Sequence, residues 1–76
     1  MKMQFKTKDL YEASYLQSKG KRLVKLESEG RIFWFVFERE DCEKLSQEYW
    51  TGTGEIPPKA YSDSIRSLKD RVFARK

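Results

Sequence analysis

A chain of 76 residues has room for one domain, and no run in it approaches the ~20 apolar residues of a membrane span. A single cysteine, Cys42, excludes an intrachain disulfide, and the absence of histidine removes the commonest general base and the commonest zinc ligand near neutral pH. Sixteen basic residues against twelve acidic ones leave a formal net charge of +4, a mild excess that suits either a well-solvated surface or a face that attracts polyanions.

Met1-Lys2-Met3-Gln4-Phe5-Lys6 carries charge but lacks the apolar core of a signal peptide, so a soluble chain in a reducing, cytoplasmic setting is the expectation. The first predicted element is a helix over residues 8–19. Thr7 is placed to cap its free amides, Asp9 to favour its dipole, and Gly20 to end it. Leu10, Ala13, Leu16 and one tyrosine form its expected buried stripe.

Two strands, residues 21–27 and 31–38, bracket Ser28-Glu29-Gly30, where glycine can take the positive φ of a hairpin turn. The first strand alternates, with Val24 and Leu26 on one face and Leu23, Lys25 and Glu27 on the other. The second, Ile32-Phe33-Trp34-Phe35-Val36-Phe37, is apolar throughout and therefore puts bulky side chains on both faces of a sheet. One face can be met by helices. The other calls for a further helix, a second copy of the chain or a ligand, and because a two-stranded hairpin is marginal alone, a third strand from a partner chain is one expectation.

Asp41 is placed to cap a short helix over residues 42–50, closed by Gly52. Residues 51–57 read as a loop. Pro58 suits the first turn of a last helix of some 16 residues, whose core stripe is Tyr61, Ile65, Leu68 and Val72. The expected fold is thus a single small α+β domain in the order αββαα, a β-hairpin packed by helices, with dimerisation as one way of completing it and no internal repeat.

Charges are segregated along the chain. Lys2, Lys6 and Lys8 open it without an acid, as Lys19, Lys21, Arg22 and Lys25 do in the middle, and five bases stand against Asp70 in residues 66–76. Residues 38–48 are acidic.

The pattern Phe5-Lys6-Thr7-Lys8-Asp9-Leu10-Tyr11-Glu12-Ala13, a following leucine and glycine, the aromatic strand ending Phe35-Val36-Phe37-Glu38, then Tyr49-Trp50 and a late Leu68-Lys69 resembles a family of short prokaryotic and viral domains carrying a "domain of unknown function" label. The resemblance spans nearly the whole chain. It implies a stand-alone domain of about this length, of the kind carried by mobile elements, and it brings no activity or catalytic residue.

Chemistry is sparse. Cys42 falls on the apolar stripe of its helix and reads as a small core residue. Glu38, Glu40, Asp41 and Glu43 match no calcium-loop spacing and suit the charging of a helix start instead. Gly52-Thr53-Gly54 follows a helix rather than a strand, which is the wrong context for a dinucleotide loop. No enzyme, metal or cofactor is therefore expected.

What remains is binding. Eleven aromatics and the clustered bases suggest a surface on which Trp34 or a phenylalanine stacks on unpaired bases while Lys21, Arg22, Lys25 and Arg31 meet phosphates. Arg66, Lys69 and Arg75 form a second candidate patch on the last helix. DNA or RNA is the leading partner class. The alternative is a protein-interaction module or homodimer that pairs through the edge of the strand over residues 31–38.

Overall fold

The computed structural model describes residues 4–38 and 40–75, the side chain of Arg75 excepted. Six elements follow one another: β1 (Gln4–Thr7), α1 (Leu10–Ser18), β2 (Leu23–Glu29), β3 (Ile32–Glu38), α2 (Cys42–Thr51) and α3 (Pro58–Arg75). The class is α+β, and the expected αββαα order is present with one strand added in front. That strand is the main departure from the sequence reading.

Residues 4–7 are extended and pair antiparallel with β3, Phe5 opposite Phe37 and Thr7 opposite Phe35. Thr7 therefore ends a strand, and its Oγ1 accepts a hydrogen bond from the Asp9 amide at 3.1 Å. Asp9 is the true cap of α1: its Oδ1 accepts from the amides of Tyr11 at 2.8 Å and Glu12 at 3.0 Å. The turn from strand to helix takes two residues.

The sheet order is β1-β3-β2, so β3 lies in the middle, paired along its length with β2 and over residues 35–38 with β1. The expected third strand from a partner is thereby corrected, since the chain's own N-terminal segment fills that position, and the edge left for pairing through residues 31–38 is reduced to the part before Phe35. The hairpin turn falls one step later than expected. Glu29 pairs with Ile32, leaving Gly30-Arg31 as a two-residue loop in which Gly30 takes φ 63°, a conformation that costs glycine little.

A bulge between Leu23 and Lys25 changes the faces of β2. Leu23 opposes Phe37 and Leu26 opposes Phe35, so these two share one face, while Lys25 and Glu27 oppose Val36 and Trp34 on the other. Val24 is left outside the register and 44% exposed. The expected pairing of Val24 with Leu26 on one face is therefore wrong by the one residue the bulge inserts.

All three helices contribute to the core on the phenylalanine face. Ala13 and Leu16 of α1, Cys42 of α2 and Leu68 of α3 cluster with Leu23, Phe35 and Phe37, joined by Phe5, Leu10, Leu26, Leu45 and Val72. The body measures 33 × 33 × 18 Å, as expected of one helical layer on one sheet. Backbone bonds close the helices cleanly: Gly20 and Lys21 donate to the carbonyls of Gln17 and Leu16, and Gly52 and Thr53 to those of Tyr49 and Glu48. Asp41 precedes α2 with φ 61° but makes no side-chain cap; its carboxylate lies 3.6 Å from Lys21 Nζ. No helix among the described residues is long and apolar enough to cross a membrane.

Candidate nucleic-acid interface

The second face of β3 carries Ile32, Trp34 and Val36, opposite the face on which Phe35 and Phe37 join the helices in the core. Val36 is nonetheless fully buried. Its cross-strand neighbours are Lys6 on β1 and Lys25 on β2, and both ammonium groups converge on Glu27, at 2.8 Å and 3.1 Å. The Lys6–Glu27 pair reaches from one edge strand to the other across β3. Long lysine stems thus lie beside the valine with their charged heads held above the sheet. Glu27 is acidified below its ordinary 4.5, first by the hydrogen bond from Lys6 and then by that from Lys25. Over Val36 the face that demanded a cover is closed by the protein's own charged side chains, while Trp34 is half-buried and Ile32 exposed.

This clasp engages Lys25 with a carboxylate, and Trp34, opposite Glu27, is half-buried beside it. Lys21 and Arg22, just before β2, line a depression with Gly20, Val24, Glu38 and Glu40, so acids accompany these bases. Arg66 is exposed on α3. The side chain of Arg75 lies outside the described residues. The seven candidates whose side chains are described do not line one site: Lys21 and Arg22 share one depression, Arg31 and Lys69 another.

Two of them do meet. Arg31 in the hairpin turn and Lys69 on α3 line a groove of about 530 Å³, together with Lys8 from the link between β1 and α1. Its remaining walls are Leu10, Ile32, Phe33, Phe35, Val72 and Phe73. No carboxylate lines it among the described residues. Ile32 is 42% exposed and Phe73 68% exposed, so unshielded apolar surface collects at this end of the sheet. Sequence reasoning missed Lys8 and Phe73. The sequence places Lys8 at the start of the first helix rather than in the two-residue link before it, and Phe73 lies one position beyond the core stripe of α3.

A second concave site of about 400 Å³ lies between α1, α2 and the loop before α3, lined by Tyr15, Glu48, Tyr49, Ile56, Pro58 and Tyr61 with Gly52 and Gly54. Tyr15 donates to Glu48 Oε1 at 3.1 Å and packs against Tyr49 with ring centroids 5.7 Å apart. Burial raises the pKa of all three tyrosines, with Glu48 adding to the effect at Tyr15 and Asp9 at Tyr49 and Tyr61. Beside this site the buried Glu12 accepts from Ser46 Oγ and from Trp50 Nε1, the latter at 2.7 Å, so the Trp50 ring is exposed while its N–H is anchored. Cys42 is fully buried, donates to the Glu38 carbonyl at 3.0 Å, and has its thiol pKa pushed up by burial.

No curated protein and no solved structure matches the chain. The family model described as "Domain of unknown function (DUF5659)" matches residues 2–74, nearly the whole length. The chain belongs to the DUF5659 family.

Proposed function

We propose that the protein is a non-catalytic accessory binding domain whose groove between the hairpin turn and α3 takes single-stranded nucleic acid. The observation that carries this reading is the convergence of Lys8, Arg31 and Lys69, without a lining acid, around a floor that includes Phe33 and Phe73. Three cations from three separate segments suit successive phosphates, and an exposed aromatic ring offers every base a stacking surface. A duplex keeps its bases stacked on one another and presents chiefly its phosphates to such a groove. Single strands are therefore the preferred form. The lone, buried and unpaired thiol suits a reducing, cytoplasmic setting.

The test is fluorescence anisotropy of a labelled single-stranded oligonucleotide, with a duplex of the same sequence, over a salt series. Single-strand binding should weaken with salt at a log–log slope of about −2, as expected for three phosphate contacts. Lys69→Glu should reduce affinity about tenfold or more at low salt, and Phe73→Ala should reduce single-strand binding more than duplex binding. Absence of binding at low salt, or a Lys69→Glu variant that binds as the parent does, overturns the reading. In that event an acidic amphipathic peptide, the runner-up for a groove this apolar, becomes the ligand to titrate.

A further inference from the structure

The tyrosine-lined site is independent of the groove and opposite to it in chemistry. We propose that it binds a small organic cation bearing an alkylated ammonium head, such as a trimethylammonium group. Three phenol rings, Tyr15, Tyr49 and Tyr61, line one concavity whose sole charged lining residue among those described is Glu48. Aromatic rings attract cations through the negative potential of their faces, and cages of several rings with a nearby carboxylate select heads whose alkyl groups make them cheap to desolvate. Ile56 and Pro58 supply apolar wall for those alkyl groups.

The protein already shows one such contact. Lys19 Nζ lies over the Tyr15 ring, 5.6 Å from its centroid, and is held there by donating to the Glu55 carbonyl at 2.7 Å. A cation is thus accommodated at the margin of the cluster. The wider field points the same way: Asp9 and Glu12 both act on Tyr49, and Asp9 acts on Tyr61. The rings are also fixed in place. Tyr15 is 6% exposed and bonded to Glu48, Tyr49 packs between Tyr15 and Trp50, and Tyr61 Oη donates to the Tyr11 carbonyl at 3.4 Å. A preformed cage loses little rotamer entropy on binding.

The test uses the full chain without nucleic acid, so its outcome is separate from that of the groove. Choline and tetramethylammonium chlorides are titrated at constant ionic strength while the indole N–H resonance of Trp50 is followed, because that ring meets Tyr49 edge-on at 4.9 Å. The neutral carbon analogue of choline, 3,3-dimethylbutan-1-ol, is the control. Both cations should produce a saturable shift, with the neutral analogue binding about tenfold more weakly. Glu48→Gln should weaken choline about fivefold, and Tyr61→Leu should weaken it at least as much; a thermal melt of each variant confirms that it folds. The comparison of charged with neutral ligand on the parent protein decides the question even if a variant unfolds. No saturable shift, or equal binding of the neutral analogue, overturns the proposal.

Discussion

Val36 and Phe37 are neighbours in β3 and both are fully buried, yet they are buried by different means. Phe37 is enclosed by helices and by Phe5 and Leu23 on the flanking strands, a dry cover assembled once on folding. Val36 is flanked by two lysines held over the sheet by one glutamate. A small chain with three helices to spend has put all of them on one side and has shielded the other with aliphatic stems. The two covers differ in what disrupts them: the first yields to lost volume, the second to anything that disturbs charge.

Phe37→Ala should show the largest effect, about 3–5 kcal/mol of lost stability in chemical denaturation, because a cavity is left beneath the helices. A loss near 1 kcal/mol would mean that the helical face is no better packed than the other. Val36→Thr probes the second cover with almost no change of shape. If the lysine stems keep the site dry, the buried hydroxyl should cost about 1–2 kcal/mol. A neutral result would show that water already reaches the valine. The smallest effect belongs to Glu27→Gln. The carboxyl of Glu27 titrates below its ordinary value when folded, so its contribution is present above about pH 4.5 and is lost as pH falls through the lower, folded value. The substitution should therefore flatten the decline of the melting temperature below about pH 4.5, and at neutral pH added salt should lower the melting temperature of the parent more than that of the variant. Unchanged acid sensitivity would show that the clasp contributes nothing to folding.

Much of the fold was legible because its signals are local. Gly30 marks the hairpin to within a residue, and Gly20 and Gly52 mark helix ends that the backbone bonds confirm. The two-sided strand was visible as six consecutive apolar residues, and on its second face Val36 is buried between lysines while Ile32 stays exposed. β1 was not legible. Four residues are too few for a period of two to register, and Thr7, Asp9 and Leu10 carry the signs of a helix start that does in fact follow. The bulge at Val24 was equally hidden, since an inserted residue leaves the alternation of the sequence intact while reversing which residues share a face.

The candidate site was legible only in part. Arg31 and Lys69 were identified from charge and now share a groove, whereas Lys21 and Arg22 sit with acids and Lys25 is tied to Glu27. Composition reveals that cations are present but not which have found carboxylates across the sheet. The tyrosine pocket escaped entirely. Its rings come from two helices and the start of a third, and each tyrosine reads singly as core.

The four residues of β1 occupy a flank of β3 that would otherwise present unsatisfied amide and carbonyl groups beside the most hydrophobic segment of the chain. Such a segment is a template for intermolecular zippering, and the short strand acts as a stopper. Trimming the chain up to Lys8 would leave the hairpin and every helix encoded but bare the edge of β3 from Phe35 to Glu38, and fibril formation monitored by thioflavin fluorescence should rise. The gatekeeper here is a piece of backbone whose side chains also serve the fold, Phe5 against the core and Lys6 in the pair with Glu27.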